Sequence, residues 1–211
     1  MAEKTFGYVN TVNYARWGGV PNYANVGLRA VMPEDGTVLK IALKLARLDS
    51  GATPIAWGAI WDRDTGNIIA VAAASQTPTN TFSGSYSSLQ TFTFDLPETK
   101  IAAGKALWIG CAKQSNESNR ELYFGLRDGA TGYTTDYQNV SRSSPGSFSA
   151  VSGSLTSEAL WVEVTYKTGG QIKVWTGAAQ LAKPVKVWNG SAWVEKPVKV
   201  WNGSAWVESN T

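Results

Sequence analysis

The sequence predicts an all-β protein in two parts: a β-sandwich domain over residues 1–168 and a tail over residues 169–211 made of three 13-residue β-hairpin repeats. Apolar segments along most of the chain are short and alternate with period two, as half-buried strands do. Gly (21 residues) and many Ser and Thr separate them at close intervals, marking turns. Near the end, Lys183-Pro184-Val185-Lys186-Val187-Trp188-Asn189-Gly190-Ser191-Ala192-Trp193-Val194-Glu195 returns identically from Lys196 to Glu208. A chain of 211 residues supports one sizeable core and an appendage.

The first element is a strand near Phe6 and Tyr8. Gly18-Gly19 and Pro21 then break regular structure, so the rest of residues 5–32 reads as an irregular loop. Residues 36–46 follow as a strand, with Leu39, Ile41, Leu43 and Leu45 on one face and Lys40 and Lys44 on the other. Residues 54–62 and 68–72 form a hairpin about the turn cluster Asp62-Arg63-Asp64-Thr65-Gly66-Asn67. A polar loop covers 75–88. Gln90-Thr91-Phe92-Thr93-Phe94-Asp95-Leu96 alternates cleanly, residues 97–105 connect, and Ala106 to Lys113 reads as a buried strand. A strand at 122–126, a Gly/Ser/Thr/Tyr-rich loop over 128–156 and a closing strand at 159–166 complete the domain. About eight or nine strands at this spacing predict two packed sheets of jelly-roll-like architecture.

The strand beginning Gly36-Thr37-Val38-Leu39, the hairpin about Asp62, the strand through Phe92 and Phe94, and the strand through Leu107-Trp108-Ile109 resemble jelly-roll modules of carbohydrate-binding appendages and phage tail proteins. That resemblance spans residues 36–113 and implies a binding or structural module.

In the tail, a diverged first copy over 170–182 keeps Lys173-Val174-Trp175 and Gly177 in place and has Gln180 for the second Trp. Asn189-Gly190 is the preferred central pair of a type I′ turn, because both positions need positive φ. A two-residue turn sets Trp188 opposite Ser191, Val187 opposite Ala192, Lys186 opposite Trp193 and Val185 opposite Val194. Both faces are then apolar enough to need cover, and an isolated hairpin is marginal in water. Each Trp can bury roughly 200 Å², so Trp175, Trp188, Trp193, Trp201 and Trp206 are assigned to packing and self-association, with a homotrimer expected. An open aromatic platform stacking sugars is the other use of the same residues. Units of the Lys-Val-Trp-Asn-Gly-Ser-Ala-Trp-Val type resemble those ending minor tail and other virion proteins of tailed bacteriophages, especially those infecting actinobacteria. The resemblance implies a virion location.

Composition narrows the chemistry. There is no His, and Cys111 is the single Cys, so Ser-His-Asp catalysis and thiolate or imidazole metal sites are excluded. No phosphate-binding Gly-rich loop occurs. Catalytic residues and cofactors are expected to be none. Asp62, Asp64, Asp95 and Glu121 are the carboxylates available for glycoside cleavage, and Asp62 with Asp64 for Ca²⁺, but a solvated turn accounts for the pair more simply. Residues 1–168 carry 14 Lys+Arg and 14 Asp+Glu, and the tail 5 against 2, without the cluster that nucleic-acid binding requires. No signal-peptide pattern or long apolar span is present, so synthesis in the host cytoplasm without membrane insertion is expected.

The resulting expectation is a non-enzymatic structural virion protein, of minor tail, baseplate or fibre type. Its expected partners are itself, other virion proteins and a host cell-surface glycan. Two alternatives stay open: a capsid decoration protein, and a carbohydrate-binding module of a larger enzyme. In the second, Trp57, Trp61 and Trp108 are the candidates for stacking on sugars. The loops at 75–88 and 128–156 are the expected contact surfaces.

Overall fold

Alternation and frequent turns produce an all-β chain. The computed structural model describes residues 3–17, 23–47, 53–114, 122–139, 144–148, 151–168, 172–175, 180–183, 185–196, 199–201, 204 and 206–208. In chain order the strands are β1 (Glu3–Tyr8), β2 (Tyr14–Trp17), β3 (Tyr23–Val31), β4 (Gly36–Arg47), β5 (Ala56–Asp62), β6 (Ile68–Val71), β7 (Gln90–Ile101), β8 (Ala106–Lys113), β9 (Leu122–Asp128) and β10 (Thr134–Asn139). They continue with β11 (Gly153–Thr156), β12 (Glu158–Leu160), β13 (Val162–Lys167), β14 (Ile172–Trp175), β15 (Gln180–Lys183), β16 (Lys186–Trp188), β17 (Trp193–Glu195), β18 (Lys199–Trp201) and β19 (Trp206–Glu208).

One sheet runs β1-β13-β4-β9-β12, with β7 also on β4 and β2 also on β9; the other runs β11-β10-β3-β8-β5-β6. The paired strands of both sheets are antiparallel. Their inner faces share one buried cluster, in which Ile41, Leu43, Phe94 and Val164 of the first sheet join Leu28, Ile60, Ile109 and Cys111 of the second. Gly58 marks how closely the layers approach, since a Cβ there would collide with the Ile41 side chain. This is a sandwich-like arrangement, as alternation on both layers requires.

Several elements depart from the sequence-based expectation, each for a local reason. Residues 23–31 form the full-length strand β3 instead of part of an irregular loop, because the breakers Gly18, Gly19 and Pro21 all precede it. In β4 the pairing shifts register between Val38 and Lys40. The shift changes the parity of the strand: Val38 enters the core at 0% exposure, as do Ile41, Leu43 and Leu45, and Leu39 is left half-buried. A β-bulge has this effect, and simple alternation cannot register it. Strand β7 runs on to Ile101 through Pro97, which is tolerated because β7 pairs with β4 alone and the proline falls at the same register shift. Residues 128–156 hold two strands, β10 and β11, rather than one long loop. The closing segment is split at Trp161, and its two halves, β12 and β13, pair with different strands, β9 and β4.

Strand β8 lies inside the second sheet and is buried on both faces. Leu107, Ile109 and Cys111 point to the main core, whereas Trp108 and Ala112 belong to a second cluster with Ala59, Trp61 and Phe148. Segment 144–148 supplies the cover for this outer cluster. Its Phe148 N–H donates to Gly66 O at 2.7 Å, and its Gly146 O accepts from Trp61 Nε1 at 3.0 Å.

Strands β14 to β19 form three separate two-stranded antiparallel pairs. Their register corrects the expected turn. Trp188 stands opposite Trp193, Val187 opposite Val194 and Lys186 opposite Glu195, so residues 189–192 form the connection. Trp175 opposite Gln180 and Trp201 opposite Trp206 place the other two pairs in the same register. A longer turn wins because Asn189 organises it. Its Oδ1 accepts from Ser191 N at 3.0 Å, Ala192 N at 2.9 Å and Ser191 Oγ at 3.0 Å, and its N–H donates to Ala192 O at 3.1 Å. Gly190 takes φ +100°. The slip is by two positions across the pair, so the assignment of residues to faces is unchanged while Trp now faces Trp, Val faces Val and Lys186 faces the opposite charge of Glu195.

Gly110 tests the packing of β8. A Cβ at this position would strike Val26 O and crowd the Gly27 Cα. Gly110→Ala is expected to lower stability by about 2 kcal/mol or more, read as a fall in the denaturant midpoint with unchanged slope.

Candidate functional site

A cleft of about 460 Å³ is lined by residues of both sheets. It is lined by Phe6 and Gly7 of β1, residues 28–31 of β3, Arg63 of the β5–β6 turn, and Gly132, Tyr133 and Thr134 at the start of β10. The lining holds two arginines and no carboxylate. Gly7 adopts φ +126°, and a Cβ there would overlap Val162 O, so glycine lets β1 hug β13. Gly132, at φ +87°, turns the chain so that Tyr133 projects beside it.

Arg29 is held rigidly from behind. Its Nε donates to Asp136 Oδ2 at 2.7 Å and its Nη2 to Asp136 Oδ1 at 3.0 Å, a two-point grip that fixes the guanidinium plane. Asp136 also accepts from Trp108 Nε1 at 2.7 Å and from Ser154 Oγ at 2.6 Å. The Asp136 side chain is 0% exposed while that of Arg29 is 44% exposed. One end of the pair is therefore core and the other is cleft wall. Burial opposes ionisation of Asp136, but the hydrogen bonds from Arg29, Ser154 and Trp108 outweigh it and hold the carboxyl below its ordinary range. The bond to Asp136 in turn raises the Arg29 guanidinium. Tyr133 is oriented by an edge contact on buried Tyr8, with ring centroids 4.7 Å apart, and remains 38% exposed.

The residues singled out in the sequence fall elsewhere. Trp61 and Trp108 are 0% and 7% exposed. Their rings meet Phe148 at 5.4 and 4.4 Å, and both indole N–H groups are engaged within the fold. Neither can act as an open stacking platform, because segment 144–148 already occupies that place. Trp57 is half-buried against the same cluster. Asp62 and Asp64 do come together, but around an ammonium: Lys105 Nζ lies 2.9 Å from Asp62 Oδ1 and 3.0 Å from Asp64 Oδ2. The Lys105 hydrogen bond holds Asp62 below its ordinary value. Asp95 is exposed on β7, and Glu121 lies outside the described residues. Among the described residues, no group of three or more His, Cys, Asp or Glu side chains converges in a way that could hold a metal ion, and no helix is long and apolar enough to cross a membrane.

In the tail, Trp188 and Trp193 meet with ring centroids 5.8 Å apart. They stay 52% and 66% exposed, and Val187 on the opposite face is 47% exposed. Side chains of Trp175, Trp201 and Trp206 lie outside the described residues, although their strands pair.

No protein-family model matches the chain, and no curated protein matches it.

The sequence reading missed Arg29, Asp136 and Tyr133. A usable signal was present: Arg29 interrupts the apolar run Val26-Gly27-Leu28 to Ala30-Val31, and Asp136 sits between Thr135 and Tyr137 in a β-prone run. Opposite charges stranded in two such runs are candidates to meet.

Two outcomes follow. Because the folded-state value of Asp136 is depressed, its contribution is complete above the unfolded carboxylate value of about 4 and is lost as pH falls through the folded one. Stability should hold between about pH 7 and 5 and fall below about pH 4. Asp136→Asn should remove about 2–3 kcal/mol at neutral pH and flatten that acid loss, measured by denaturant titration at several pH values. Flattening rather than abolition is expected, since Glu34 is also held low, by hydrogen bonds from Lys4 and Tyr166. Separately, the Cys111 thiol is fully buried and pushed up to about 12 by burial. It should resist a disulfide reagent in the folded protein and react at once in denaturant.

Proposed function

We propose that the protein is a non-enzymatic structural component of a tailed-bacteriophage virion, of minor tail, baseplate or fibre type. Its jelly-roll-like domain presents a surface for host glycan, and its hairpin-repeat tail drives assembly into a homotrimer. The observation that carries this reading is the opposed pair Trp188 and Trp193, exposed on a ribbon whose reverse face is exposed as well. A two-stranded ribbon with large apolar groups on both faces is marginal in water, and repetition of the same register along the tail multiplies the surface that needs covering.

At about 25 cal/mol per Å², burial of several indoles in an assembly supplies several kcal/mol. That gain offsets part of the cost of association. The resemblance of the repeat units to those ending phage virion proteins points the same way. A carbohydrate-binding module that uses Trp61 and Trp108 as its platform is disfavoured by their burial.

Light scattering after size exclusion tests the assembly role. The full chain is expected at three times the monomer mass of 22.7 kDa. A chain ending at Gly169, or the full chain with Trp188, Trp193, Trp201 and Trp206 changed to Thr, is expected as a monomer. A monomeric full chain would contradict the assembly role.

A further inference from the structure

We infer that the cleft between β1, β3 and the turn before β10 is a binding site for an acidic sugar, with its carboxylate or phosphate on Arg29 and Arg63 and its ring against Tyr133. The inference rests on the glycan-binding half of the reading above and gives it a place and a ligand chemistry.

The cleft volume of about 460 Å³ falls within the range of small-molecule sites. Its charge is one-sided, with two guanidiniums and no acid in the lining. The acids nearest to Arg63 in sequence, Asp62 and Asp64, are both bound to Lys105, and neither is committed to Arg63. The Arg63 side chain makes no ion pair among the described residues, while its backbone is fixed by an N–H bond to Ala106 O at 3.1 Å. Arg29 spends Nε and Nη2 on Asp136 and keeps Nη1 without a partner among the described residues. A guanidinium locked on one edge and free on another is preorganised to donate to an oxyanion, with little further side-chain entropy to lose.

The remaining wall is apolar and aromatic. Phe6 and Val31 border the cleft, and Tyr133, steadied by Tyr8, offers a partly exposed ring of the kind that takes the C–H face of a sugar. A simple inorganic anion would leave this wall unused, and a neutral sugar would leave the positive charge of both arginines unmatched. An acidic sugar uses both.

Ligand-observed saturation-transfer NMR on the full chain provides the test, with glucuronic acid, glucose 6-phosphate and glucose as probes at constant ionic strength. Saturation of an acidic sugar but not of glucose is expected, strongest on the ring protons. Arg63→Gln, an exposed change with an unaltered melting curve as its control, should weaken this binding about tenfold. Tyr133→Ala should weaken it as well and lower the ring saturation. Response to glucuronic acid alone assigns a carboxylate site, and response to glucose 6-phosphate alone a phosphate site. Equal binding of glucose, or binding indifferent to Arg63→Gln, overturns the acidic-sugar site while leaving glycan binding in place. Saturation of none of the three overturns the site itself, and the assembly role is judged independently by the mass of the chain.

Discussion

Asp136 is the constraint on which the second sheet depends. A carboxylate with no exposure can remain charged only if its oxygens are filled with donors, and this one takes them from β3, β8 and β11. Strands β11, β10, β3 and β8 are consecutive neighbours in the sheet, so one side chain fastens four of them together across their outer face. Trp108, fixed by the same carboxylate, then supports Phe148 and the segment that covers the outer cluster. Arg29 carries the consequence outward to the cleft. The packing of the sheet and the wall of the cleft are thus tied through one buried charge.

Trp61 and Trp108 follow the opposite rule to Trp188 and Trp193. In the sandwich, Trp61 and Trp108 are buried and each indole N–H has an acceptor inside the fold. In the tail, Trp188 and Trp193 pair across a ribbon too thin to hide either of them. The difference is one of layers: a sheet with a second layer and a covering segment can enclose an indole, and a lone strand pair cannot.

Local patterns made much of the fold legible. The alternation in β7 and in β4 beyond Leu39, and the continuous apolar run of β8, each reflect a rule acting over a few residues. What escaped was set by longer-range contacts. The bulge at Leu39 depends on how β4 meets β7 and β13, and no pattern within β4 announces it. The ribbon register depended on three side-chain hydrogen bonds to Asn189 outweighing the preferred two-residue turn. Trp57, Trp61 and Trp108 were visible as a group, but the segment that covers them was hidden in a stretch read as loop. The cleft was least legible of all, since Phe6, Arg29, Arg63 and Tyr133 come from four separate parts of the chain and only the topology gathers them.

The most direct measurement on this account is hydrogen exchange at the Trp108 indole, followed by NMR across the acid range. If Asp136 is the charged hub of the sheet, the Trp108 Nε1–H exchanges orders of magnitude more slowly than an exposed indole, and its protection and the Arg29 Nε–H signal are lost together below about pH 4. A Trp108 indole that exchanges freely at neutral pH, or that keeps its protection after Arg29 has lost its own, would contradict it.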